Sequence, residues 1–80
     1  MIKVKVKVWE EQFQTYKAPK EMILEKFLIQ EVRIPLREIR KIRIIRDRSE
    51  KCELGKSLMK NNIKEGSRIE IKHEERKGKI

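Results

Sequence analysis

The fold of this chain is decided by residues 57–71, which have the sequence SLMKNNIKEGSRIEI. Leu58 and Ile63 are spaced as the apolar anchors of a short turn. A tight corner is indicated by three residues that tolerate the left-handed region of φ and ψ: Asn61, Asn62 and Gly66. Two isoleucines, Ile69 and Ile71, then alternate with charged residues, which predicts a closing strand with one buried face.

The clearest strand lies at the other end of the chain, where residues 2–8 alternate between β-branched residues and lysines. Because successive side chains of a strand point to opposite faces, one set is expected in the core: Ile2, Val4, Val6 and Val8. The other set is expected in a row on the outer face: Lys3, Lys5 and Lys7.

The middle of the chain predicts one helix and three more strands. Residues 13–17 are expected to return as a hairpin strand, and either a bulge or a partly exposed Tyr16 would resolve the register of Phe13 and Tyr16. Residues 20–33 have a helical apolar stripe that ends at Ile34-Pro35. Residues 36–41 are expected to form a turn of helix or an irregular connection, 42–46 a strand, and 52–56 a short edge strand.

This order of elements predicts an α+β fold, in which a mixed four- to five-stranded sheet has one helix packed on one face. The first and last strands are expected to lie parallel in the middle, because their connection crosses over through the helix. The apolar faces of the strands match the helix stripe, so the local patterns agree with one architecture.

Composition narrows the function classes. The net charge of +9 and the pI near 9.9 favour an acidic partner, which could be a protein, a nucleic acid or an anionic membrane surface. No apolar run is long enough for a membrane span, no signal-peptide core follows Met1, and one cysteine cannot form an internal disulfide. We therefore expect a cytoplasmic protein.

The passages around Ile34-Pro35 and from Leu58 to Ile71 resemble the ubiquitin-like β-grasp superfamily. The resemblance implies a domain over residues 1–73, followed by a charged, flexible tail over residues 74–80. Ubiquitin-like modifiers and sulfur carriers end in Gly-Gly, whereas this sequence ends in Lys77-Gly78-Lys79-Ile80. Ubiquitin receptors bind an apolar patch, and three of the four matching positions are charged here: Val8, Arg43, Glu70 and Lys72.

The closing half of the chain, from Ile42 to Ile71, is similar to the small bacterial YukD/EsaB-like group, whose members also lack the diglycine tail. This resemblance implies a non-enzymatic, cytosolic accessory component of a type VII secretion system. Its partner would be an acidic protein surface, such as that of a membrane component of the secretion machinery. A modifier or sulfur carrier, and a basic nucleic-acid-binding domain, remain as alternatives.

No catalytic or metal-binding constellation is visible, and we expect no cofactor. His73 is the only histidine, and a catalytic or metal role would need partners that the chain lacks. Lys51 could lower the pKa of Cys52, but an unreactive thiol is the simpler interpretation. Gly55-Lys56-Ser57 resembles the end of a phosphate-binding loop without its first glycine.

The outer sheet face is the best candidate for partner binding. Its predicted residues are Lys3, Lys5, Lys7, Arg43 and Lys72, with Glu70 as the acidic exception. A solvated face without a partner is the alternative. We expect no aromatic residue on this face, which argues against recognition of single-stranded nucleic acid. Trp9 and Ile45 are two further candidates, and Trp9 could equally close the end of the core.

Overall fold

A computed structural model describes residues 1–47 and 50–73 of the chain. Five strands are present: β1 (Ile2–Val8), β2 (Gln14–Ala18), β3 (Ile42–Arg46), β4 (Glu50–Lys51) and β5 (Arg68–His73). One helix, α1, begins as α-helix at Leu24–Phe27 and continues as π-helix at Leu28–Val32. Two 3-10 helices cover Leu36–Lys41 and Met59–Asn61.

The strands form one mixed sheet in the order β2-β1-β5-β3-β4. Strands β1 and β5 are parallel neighbours in its centre, with Val6 opposite Ile69 and Val8 opposite Ile71. All other pairs are antiparallel. The predicted fold class, a ubiquitin-like β-grasp, is confirmed by this topology together with the helix on one sheet face.

The core lies between α1 and the inner face of the sheet. The predicted anchors Leu58 and Ile63 are buried, and so are the inward residues of the central strands: Val4, Val6, Ile42, Ile44, Ile69 and Ile71. Leu24, Phe27 and Leu28 of α1 cover them and are fully buried. The agreement of the two apolar surfaces is what closes this small core, because each would otherwise remain in water.

The predicted helix over residues 20–33 is shorter in the structure. Its first turn is replaced by an extended Ile23, which forms an isolated bridge with Ser57. The carbonyl oxygens of Lys56 and Leu54 then accept hydrogen bonds from the backbone N–H groups of Leu24 and Glu25, at 2.9 and 3.1 Å. The loop before the second 3-10 helix therefore satisfies two of the free donors at the start of α1.

The short edge strand was predicted at residues 52–56, and this is wrong. It lies instead at Glu50–Lys51, where Lys51 is opposite Ile45. Cys52 continues this edge by one backbone hydrogen bond to Ile44, after which the chain turns toward α1. Leu54 packs against the core, as the pattern predicts.

Of the three residues predicted for the tight corner, two adopt the left-handed conformation and one does not. Asn62 has φ 60° and Gly66 has φ 86°, so both adopt the predicted left-handed region. Asn61 remains in the 3-10 helix and instead uses its side chain to hold the preceding loop. The predicted domain boundary at residue 73 and the predicted flexible tail both depend on residues 74–80, which lie outside the described residues.

Candidate functional site

The register of the central strands assembles a basic sheet face. Its members point away from α1, as the burial of their strand neighbours requires. Strand β1 contributes three lysines, β5 contributes two cations and an acid, and β3 contributes one arginine. We call these residues the basic face: Lys3, Lys5, Lys7, Arg43, Arg68, Glu70 and Lys72.

The structure thus brings together all five cations that the sequence predicts for this face, and adds Arg68. Lys5 lies opposite Arg68 across the parallel pair, and Arg43 lies opposite Lys72 across the antiparallel pair. Like charges on neighbouring strands repel each other. Arg68 could have been found from sequence, because it precedes Ile69 in the same alternation as Glu70 and Lys72.

The single carboxylate of the basic face has an ion-pair partner within the face. Glu70 forms an ion pair with Lys72, with 3.7 Å between Oε1 and Nζ. At the end of β3, Asp47 is paired in the same way with Arg46, at 3.0 Å. Within residues 1–47 and 50–72, no ion pair involves Lys3, Lys5, Lys7, Arg43 or Arg68. The face therefore carries an excess of uncompensated positive charge.

Phe13 lies beside this face, which corrects the expectation that no aromatic residue is there. Its ring is 5.9 Å from Nζ of Lys7 and 5.7 Å from the guanidinium carbon of Arg68. Tyr16 takes the opposite side of the hairpin, where it packs edge-on against Phe27 in the core. Phe13 and Tyr16 therefore lie on opposite faces of the hairpin, with Phe13 outside the core and both rings partly exposed. This arrangement resolves the register that the sequence leaves open.

A cleft of about 250 Å³ opens next to the Phe13 ring. Among the described residues its other walls are Asp47, Arg68 and Glu70, which place charged groups around one apolar ring. The backbone fixes one wall, because the N–H of Asp47 donates to the Arg68 carbonyl at 2.8 Å.

Two further predicted contact residues, Ile45 and Trp9, are both half-buried but lie in different surroundings. Ile45 lies on the outer side of β3, half-buried between Glu70 and Lys51 on the neighbouring strands. Trp9 is half-buried and packs against the core, with its backbone at φ 57°. The interpretation of Trp9 as a cap on the open end of the core fits this packing, and its role as an interface anchor stays a prediction.

Cys52 does not show the lowered pKa that a neighbouring Lys51 could produce. Burial raises the pKa of the thiol, and the nearby Arg46 only partly opposes this. Among the residues that the structure describes, no group of three His, Cys, Asp or Glu side chains could hold a metal ion. The backbone of His73 lies in β5, and its side chain is outside the described part.

No helix within the described ranges 1–47 and 50–73 is long and apolar enough to cross a membrane.

Comparison with known proteins supports the fold alone. No family model and no curated protein sequence matches the chain. Among solved structures, it is similar to a de novo designed protein based on ubiquitin, with a TM-score of 0.73 and 18% sequence identity. That match covers 99% of this chain and 95% of the designed one. The chain therefore has a ubiquitin-like fold over its whole described length.

Proposed function

We propose that this chain is a non-enzymatic interaction domain whose basic face binds an acidic surface of a partner protein. The supporting observation is the charge of that face, where six cations surround one carboxylate that is already paired with Lys72. Uncompensated charge on a rigid sheet raises the rate of encounter with an oppositely charged partner and helps to orient it.

The proposal is tested by reversing charge inside and outside the face. The double variant Lys5→Glu, Lys7→Glu is compared with Lys26→Glu, Lys60→Glu, whose lysines are exposed on α1 and the second 3-10 helix. Both variants carry the same net charge. The probe is an immobilised peptide of eight glutamates at 150 mM salt. We expect affinity to fall about tenfold or more in the first variant and much less in the control.

Equal losses in the two variants would contradict the proposal, because binding would then follow net charge and not the basic face. Circular dichroism of each variant confirms that the sheet is intact before binding is compared.

The more specific role, an accessory component of type VII secretion, rests on the sequence resemblance alone and is part of the proposal. It predicts that the gene neighbours an FtsK-like ATPase and small secreted helical-hairpin proteins. It also predicts binding to the cytosolic region of a membrane component encoded there, weakened by the Lys5→Glu, Lys7→Glu change. Binding that ignores this change would contradict the role of the face.

A second candidate function is the binding of single-stranded nucleic acid, which the position of Phe13 favours. An aromatic ring beside Lys7 and Arg68 supplies the combination of stacking and phosphate contacts that single-strand binders use. If the chain has this function, it should retain an oligothymidylate of twelve nucleotides. The retention should fall steeply with salt and should be weakened by Phe13→Ala. No retention at low salt would eliminate it.

A further inference from the structure

We infer that the cleft beside Phe13 selects the partner, by taking an aromatic or large aliphatic side chain that is flanked by carboxylates. The occupant is an acidic peptide segment of a protein, and the inference rests on the proposed function of the basic face. The partner then needs an apolar side chain as well as negative charge, whereas the sequence indicates only the charge of this surface.

The cleft has one apolar wall, Phe13, and one cationic wall, Arg68, and Lys7 lies beside the same ring. The side chain of Phe13 is 37% exposed, although most aromatic rings of this size are buried in a folded domain. Lys7 and Arg68 hold the ring against the sheet at cation–π distances. An incoming apolar side chain would cover the exposed part of the ring and occupy part of a cleft of about 250 Å³.

Among the described residues, two cations beside Phe13 can favour an anion. Asp47 accepts hydrogen bonds from Arg46 at 3.0 Å and from the backbone N–H of Arg68 at 3.3 Å. Glu70 is paired with Lys72. Both carboxylates are thus engaged by these partners, and Lys7 and Arg68 are the two cations beside Phe13 that form no ion pair within residues 1–47 and 50–72.

This distribution fits a peptide better than a nucleic acid strand. A peptide can place one carboxylate near Lys7, one near Arg68, and an uncharged side chain between them. A single strand carries a phosphate at every nucleotide, so some phosphates would pass Asp47 or Glu70. Repulsion from those carboxylates would reduce the gain from stacking on Phe13.

The test uses two synthetic peptides of equal charge, Ser-Gly-Glu-Phe-Glu-Gly-Ser and the same peptide with serine in place of phenylalanine. Fluorescence anisotropy measures both against the full chain. We expect the phenylalanine peptide to bind about tenfold more tightly, a preference that Phe13→Ala abolishes. Arg68→Gln should weaken both peptides by similar factors.

Leu36→Ala provides the matched control, since Leu36 is also an exposed apolar residue and lies in the first 3-10 helix. It should leave the preference unchanged. Equal binding of both peptides by the unmodified chain overturns the inference while leaving the basic face intact. Failure of both peptides and of octaglutamate overturns the proposed function itself. Tighter, Phe13-dependent binding of oligothymidylate would assign the cleft to nucleic acid instead.

Discussion

At the scale of single residues, the side chain of Asn61 connects the second 3-10 helix to the loop that precedes it. Few other side-chain hydrogen bonds join these two segments within the described residues. Its Oδ1 accepts from the backbone N–H of Glu53 at 2.8 Å. Its Nδ2 donates to the carbonyls of Glu53, Lys56 and Ser57, at 2.9, 3.3 and 3.0 Å. The loop that supplies acceptors to the start of α1 is thus fixed by one amide.

Replacing Asn61 by alanine should lower the free energy of unfolding by about 2 kcal/mol, because several backbone groups lose their partner at once. Urea denaturation monitored by circular dichroism measures the change. Asn62→Gly is the control, since Asn62 has φ 60° and glycine accepts that conformation. Similar losses in both variants would show that the Asn61 bonds have no special role.

The thiol of Cys52 is expected to react slowly in the folded chain. Burial disfavours the charged thiolate, so the pKa of Cys52 lies above its ordinary value of 9.0. The neutral form stabilises the fold at lower pH, and this contribution is lost as the pH rises through the raised pKa. At pH 8, a disulfide reagent such as DTNB should modify the native protein more slowly than the urea-unfolded protein. Faster modification of the native protein would contradict the raised pKa.

At the scale of the elements, the end of α1 carries local backbone strain. Arg33 follows the π-helical turn with φ 70°, and the N–H groups of Arg33 and Ile34 both donate to the Leu28 carbonyl. This arrangement satisfies the Leu28 carbonyl near the end of the helix, and it is usually formed with glycine at the left-handed position.

Arg33→Gly should therefore raise the free energy of unfolding by up to about 1 kcal/mol, since glycine adopts positive φ without steric cost. Thermal and urea unfolding measure the gain. The control is Arg37→Gly, an exposed position inside the first 3-10 helix, where added backbone freedom should be neutral or destabilising. A loss of stability in Arg33→Gly would mean that the Arg33 side chain contributes more than its backbone costs.

The elements that the sequence predicts well are those in which apolar residues recur at a regular spacing. The predicted strand at residues 42–46 is observed at those residues, and residues 13–17 are displaced by only one. The start of α1 could not be predicted, because the acceptors for Leu24 and Glu25 come from a loop some thirty residues later. The site was predictable as a row of lysines, whereas Phe13 joins it only through the register of the hairpin.

At the scale of the whole molecule, the charge of +9 is both the candidate binding device and a source of instability. The basic face concentrates part of that charge on three adjacent strands, where Lys5 and Arg68 are direct neighbours. Self-repulsion of this kind opposes the compact state, and salt screens it over about 10 Å at 0.1 M. The basic face therefore links ligand affinity to fold stability, with salt acting on the two in opposite directions.

We expect the melting temperature to rise between 10 and about 300 mM NaCl, because the repulsion on the basic face is screened. Lys5→Glu should reduce this salt dependence and add about 0.5 kcal/mol of stability at low salt, since an acid then faces Arg68 across the strand pair. Lys26→Glu carries the same net charge but lies on α1, away from Arg68. If both variants respond alike, the instability comes from total charge; if only Lys5→Glu does, it comes from the face that we propose for partner binding.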